Sequence, residues 1–245
     1  MPSPDDPHHR ASPALDPPRG VQFVTDFHSL ATTPFSADRN ALCWRRQLPG
    51  DFSEIIARLG DRQESVLTLD IDLLHTLPLS LAGRTAADAM LADFHALSAR
   101  ELAPQLNCVY HYPRDERGGP IATDVFSFHV DSAPCPTDTW LCTYHGPGSE
   151  GLWPADAERR IDHPPTRAAL LATYGGPDDA SFLEFLRENA YDLHFAPLPH
   201  ARPYSFGLGH LWRIATQHPG SVAPPCIHRA PPPAPGDPPR LLLIS

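Results

Sequence analysis

The 245-residue chain predicts a mainly β fold with α-helices: a jelly-roll barrel with helices at its N-terminal end and a helical insert midway. Three observations carry this expectation. After about residue 105, short runs rich in β-branched and aromatic residues recur, each bounded by Gly or Pro. Helical spacing dominates the first hundred or so residues. It returns once, at about 164–200, with strand-like runs on both sides. The sequence therefore divides into a disordered Pro-rich tail, 1–20, and a single jelly-roll domain, 21–245. Within that domain 21–105 is read as a helical support and 106–245 as the barrel with its insert.

The elements follow in order. DFSEIIARLG starts with Asp51 as cap, has Glu54 three residues on in a capping-box pattern, and can stop at Gly60. VLTLDIDLL, Val66 to Leu74, fits a strand or the start of a helix. Thr85 is the expected cap of the next helix, with Asp88 in its first turn. Met90, Phe94, Leu97 and Leu102 then recur near helical spacing until Pro104. Leu106 to Tyr112, Asp124 to Asp131 and Thr139 to His145 read as three strands, with RDERGG a loop after the first. RAALLATYG and ASFLEFLRENAYDL form the helical insert, the second placing Phe182, Phe185 and Leu186 on one side. GHLWRIAT, CIHRA and RLLLIS close the chain as short strands between Pro-rich loops.

Composition removes several functions. A formal charge of −10 argues against binding nucleic acid or an anionic membrane. No apolar run is long enough to span a bilayer, and the first residues lack the apolar stretch of a signal peptide. Five Cys are scattered without Cys-x-x-Cys spacing, as expected of buried, reduced thiols in a cytoplasmic protein. All 19 basic residues are Arg, which excludes a Schiff-base or P-loop lysine and leaves any anion clamp to Arg. The Pro, Ala and Arg bias suits a GC-rich bacterial genome. GPGSEG, Gly146 to Gly151, matches G-x-G-x-x-G, but Pro147 and Pro154 oppose the helix a dinucleotide site needs. A tight turn between strands explains the glycines better.

FSFHVDSAPC contains the candidate metal ligands His129 and Asp131. With 14 His and 21 Asp in 245 residues, about one His-x-Asp arises by chance, so the triplet needs context. In a strand the two side chains share a face with Val125 and Ser127, while Phe126, Phe128 and Val130 share the core face. His228 lies in CIHRA, and Arg240 follows it by twelve residues. Two His and one carboxylate, His129, Asp131 and His228, suit Fe(II) with open coordination positions. Arg240 offers a planar fork for a carboxylate. Arg229 competes for that role, but as the neighbour of His228 it faces the other way. Cys226 and Cys135 lie close in sequence, and a thiolate ligand would favour zinc. His8 and His9 lie in the tail, where they can bind stray metal, while His111, His145 and His210 read as ordinary hydrogen-bonded histidines.

The order His-x-Asp, long insertion, His, Arg, terminal strand resembles the Fe(II)- and 2-oxoglutarate-dependent oxygenases. That resemblance spans roughly Leu106 to Ser245 and implies a double-stranded β-helix, a cupin-like core, with Fe(II) on the triad and 2-oxoglutarate on Arg240. It also implies oxidation of a small-molecule or peptidic substrate. FHVDSAPC, LCTYHGPGSEGL, IHRAPPP and RLLLIS, with CWRRQLPGDF near the start, resemble a bacterial family more specifically, domain of unknown function 1826. Ser149 stands where that family has Thr, and Ala230 where it has Ser. The hydroxyl that some oxygenases place two residues after the Arg is replaced by Leu242, so Tyr110, Tyr112 or Thr143 would have to partner Arg240. The alternatives are a zinc-handling protein on the same barrel and a metal-free binding module.

Overall fold

The computed structural model describes residues 17–116 and 118–245. The expected tail falls on residues 1–16, outside the described residues, while 17–20 form a turn in which Val21 N–H donates to Pro18 O at 3.0 Å. In chain order the first half contains β1 (Val21–Val24), α1 (Phe27–Thr32), β2 (Ala41–Trp44), α2 (Phe52–Leu59), β3 (Val66–Thr68), α3 (Ile71–Thr76), α4 (Leu81–Ser98) and β4 (Gln105–Val109). The second half contains β5 (Phe128–His129), β6 (Asp138–His145), β7 (Glu150–Leu152), β8 (Ala157–Arg159), α5 (Pro164–Tyr174) and α6 (Ala180–Glu188). It ends with β9 (His194–Pro197), β10 (Tyr204–Ser205), β11 (Leu211–Ala215), β12 (Ile227–Arg229) and β13 (Arg240–Ile244).

The fold is mixed α/β, mostly β, and built on two curled sheets. A seven-stranded sheet runs β1-β2-β11-β6-β13-β4-β3, with β1 and β2 parallel and the remaining pairs antiparallel. A six-stranded antiparallel sheet runs β10-β7-β12-β5-β9-β8. The N-terminal part is therefore not only a helical support: β1, β2 and β3 form both edges of the larger sheet. The β1 and β2 runs are too short to stand out, while Val66 to Leu74, which fits a strand or a helix start, divides into β3 and α3.

Alternation along β6 and β13 organises the molecule. Trp140, Cys142, Tyr144, Leu241 and Leu243 point into the larger core, with Ile55, Leu59, Met90 and Leu97 of the helices. Thr139, Leu141, Arg240, Leu242 and Ile244 point the other way, into a cavity shared with the smaller sheet. Phe128, Val130, Leu152 and Ile227 make a separate apolar cluster on the smaller sheet. Ile161, Leu170, Phe182 and Leu186 give the helical insert its own core.

Several local expectations shift. Asp51 does cap α2, accepting from Ser53 N and Glu54 N, and Gly60 ends it at φ 68°. Glu54, however, does not close a capping box. Its carboxylate accepts from Ser80 N and Oγ, tying α2 to the cap of α4. Ser80, not Thr85, caps α4, and Thr85 Oγ1 instead donates to Leu81 O inside the helix. GPGSEG opens no helix; it carries the chain from β6 in one sheet to β7 in the other. The strand expected over 124–131 is reduced to Phe128–His129. Asp124 turns the chain before it, accepting from Phe126 N through Oδ1 and from Ser127 N through its carbonyl. Strand alternation therefore does not reach Phe126, which leaves the core face and lies under Arg114.

Candidate metal centre

His228 and His129 are directly opposed partners on β12 and β5, so their side chains leave the sheet on the same face. Asp131 follows two residues later. One ligand atom from each of His129, Asp131 and His228 can be chosen so that all lie within 4.8 Å of one another. The two imidazole centroids are 4.6 Å apart, and His228 Nε2 is 3.7 Å from Asp131 Oδ2. Cys226 and Cys135 are not in this group among the described residues. Cys226 is buried against Tyr204, and Cys135 is exposed.

Backbone partners set the histidine tautomers. His129 Nδ1 lies 2.8 Å from Ser127 O, and His228 Nδ1 lies 3.2 Å from Cys226 O. A carbonyl can only accept, so both Nδ1 atoms carry the proton and both Nε2 lone pairs remain available. This is the outer bonding that metal-bound histidines use to fix ring orientation. Asp131 is held in the same way, its Oδ2 accepting from Thr139 Oγ1 across the inter-sheet space. Burial, and then the neighbouring His228, holds the pKa of His129 below the usual imidazole value, which favours the neutral ligand form.

A third histidine extends the row. His194 on β9 opposes His129 on its other side, with ring centroids 5.8 Å apart. Burial, and then His129, lowers its pKa to about 4, and its buried Nδ1 has no hydrogen-bond partner. The unfolded chain protonates this group below about pH 6.5, whereas the folded protein resists until about 4. Stability of the metal-free protein is thus expected to fall as pH drops through that window, with no contribution from His194 above it. Urea unfolding in the presence of a chelator should show a shallower acid limb in His194→Gln; an unchanged limb removes His194 as its source.

Facing the triad is a cavity of about 160 Å³ that His129, Asp131 and His228 line together with Arg240, Ser149 and Thr139. Arg240 is 6% exposed. Its Nη1 donates to Tyr112 Oη at 3.1 Å, and its Nη2 to Thr143 Oγ1 at 3.3 Å and Ser149 Oγ at 2.9 Å. Its Nε is buried without a partner, and burial lowers its pKa. No carboxylate pairs with it among the described residues, which is unusual for a buried guanidinium. Of the hydroxyls the sequence offered, Tyr112 and Thr143 reach Arg240, while Tyr110 donates to Gly60 O. Arg229 turns away and pairs with Glu150 at 2.7 Å.

Sequence reasoning missed Ser149, Thr139 and His194. The signal for Ser149 lay in the GPGSEG turn: a Cβ on Gly146, at φ +81°, would lie 3.0 Å from Arg240 Cγ and 2.9 Å from Pro239 O. The glycine lets that turn close on the arginine stem and bring Ser149 to its head group. No helix among the described residues is long and apolar enough to cross a membrane. No family model, curated protein or solved structure matches the chain.

Proposed function

We propose that the chain is an Fe(II)- and 2-oxoglutarate-dependent oxygenase of a small-molecule or peptidic substrate, on a jelly-roll core of the double-stranded β-helix kind. The proposal includes membership of the bacterial family resembled by FHVDSAPC and IHRAPPP, domain of unknown function 1826. A cytoplasmic setting suits the five free thiols.

One observation carries the reading: the two-His, one-Asp cluster faces a buried arginine that has no acidic partner among the described residues. Two imidazole nitrogens and one carboxylate oxygen fit Fe(II) with positions left open. Bound there, iron and 2-oxoglutarate would supply the activation of dioxygen for oxidising a substrate C–H bond. The chain's own part is geometry. His129 and His228 present Nε2, Asp131 presents a carboxylate steadied by Thr139, and Arg240 with its hydroxyl partners receives a carboxylate. Leu141 and Leu242, both buried, limit water in the cavity.

The test is anaerobic loading with Fe(II), followed by succinate formation from 2-oxoglutarate without added substrate. Wild-type protein should hold one iron and produce succinate slowly. His228→Ala should weaken metal binding by at least about 100-fold and abolish succinate, because losing a ligand costs no less than losing its outer partner. Tightly held zinc without turnover would move the protein to metal handling. Metal content unchanged in both His129→Ala and His228→Ala would leave a metal-free module.

A further inference from the structure

A second chamber, of about 330 Å³, lies beside the metal cavity and shares Tyr112 and Arg240 with it. Its walls are aromatic and prolyl: Tyr110, Tyr112 and Phe126, with Pro231, Pro233 and Pro238 of the loop before β13. Tyr112 and Phe126 meet edge to face, with centroids 5.9 Å apart and planes at 81°. The Arg114 guanidinium lies over Phe126, 4.0 Å from the ring centroid. Such a volume, apolar walls and few polar groups suit a small ligand.

The polar groups give its charge. Besides the two tyrosines, four charged or titratable residues line the chamber: His111, Arg114, Asp237 and Arg240. Asp237 is engaged within its own loop, accepting from Ala234 N at 2.6 Å. His111 Nε2 is bonded to Ser65 Oγ at 2.9 Å. Arg114 reaches Asp124 only at 3.9 Å, beyond a hydrogen bond, and its side chain is 56% exposed. Arg240 is buried with a free Nε. Two guanidiniums, one of them only loosely paired with Asp124, thus line the chamber against the single carboxylate of Asp237, next to flat apolar surface.

We infer that this chamber seats a small carboxylic acid bearing a flat, apolar ring, with the ring between Phe126 and the prolines and the carboxylate on Arg114. Calling that acid the substrate rests on the oxygenase reading; its binding does not. A ring edge or face against Phe126 and Tyr112 gains both burial and aromatic contact. The carboxylate gains a guanidinium fork that is already flattened on a ring.

The test is isothermal titration of the full chain, with chelator present, using 3-phenylpropionate, its neutral amide and propionate. The aromatic acid should bind at least about ten-fold more tightly than either control. Phe126→Leu keeps volume but removes the ring, and should lose about ten-fold in affinity for the aromatic acid. Arg114→Gln should abolish the preference for acid over amide. His129→Ala should leave aromatic-acid binding within about two-fold, so a failed metal centre and a failed chamber give different results. Equal binding of phenylpropionate and propionate, or affinity unchanged in Phe126→Leu, overturns the assignment. Melting temperatures of each variant separate lost binding from lost folding.

Discussion

Asp93→Ala is expected to destabilise the protein by about 3–5 kcal/mol, measured as a lowered urea midpoint at unchanged slope. Asp93 projects from α4 into the larger core and is 4% exposed. Its carboxylate takes both Nη atoms of Arg46, which follows β2, and the hydroxyl of Tyr144 on β6 at 2.7 Å. Arg46 side-chain exposure is 11%, and its Nε donates to Gly209 O at 2.7 Å. Removing the carboxylate leaves a guanidinium and a phenol in the core without their acceptor. An uncompensated buried charge is what makes breaking such a pair costly. The double variant Arg46→Met/Asp93→Leu should recover most of the loss, since it removes both partners at similar volume. Asp162→Ala is the control. Its Arg159 pair is 49% and 51% exposed, so about 1 kcal/mol or less is expected. A cost at Asp93 no larger than at Asp162 would show that this network does not hold α4 to the sheet.

The strand that anchors this network, β6, also borders the candidate metal centre. Tyr144 and Cys142 lie on its helix-covered face, while Thr139 and Leu141 line the metal cavity on the other. One strand thus carries both Tyr144, which donates to Asp93, and Thr139, whose hydroxyl donates to Asp131. This also explains a feature of the sequence. CWRRQLPGDF carries Arg46 in a loop, where no periodicity announces a role, yet its guanidinium binds the Asp93 carboxylate of α4 and the carbonyl of Gly209.

Legibility followed the range of the interactions. Asp51 and Gly60 were readable because capping is local: the donors and the left-handed turn lie within four residues. Glu54 was read as part of the same cap, but a partner 26 residues away, Ser80, took its carboxylate. His129, Asp131 and His228 were legible as residue types in an order, and the β12–β5 register is what brings them together. Phe126 was placed on the wrong face because alternation was assumed through a turn that Asp124 makes. The strands β1 and β2 were hidden because four residues carry little period of their own, and β3 was open between strand and helix start until pairing with β4 decided it. His194 had no motif at all and is revealed only by sheet register, while Ser149 sat in a glycine turn whose crossing between the sheets carries it to Arg240.

Arg240→Met is expected to raise intrinsic stability by about 1–4 kcal/mol while removing response to a carboxylate ligand. The guanidinium is buried and held by three hydroxyls, and burial lowers its pKa, so the folded state bears the cost of an unmatched charge. Methionine keeps the unbranched stem that Gly146 accommodates, and leaves Tyr112, Thr143 and Ser149 free to rearrange among themselves. The sign is opposite to that at Asp93, although both changes touch an arginine shielded from solvent: Arg46 has a carboxylate partner, and Arg240 has none among the described residues. A ligand carboxylate would supply what the fold omits. At a concentration of 2-oxoglutarate near 100 times its Kd, wild-type protein with bound metal should gain about 2.7 kcal/mol, and Arg240→Met essentially none. Arg240→Lys, which keeps the charge but not the planar fork, should fall between them. Urea midpoints with and without 2-oxoglutarate measure all three. A less stable Arg240→Met, or a variant that still responds to the ligand as fully as wild type, would make Arg240 a structural residue and move the anion seat elsewhere.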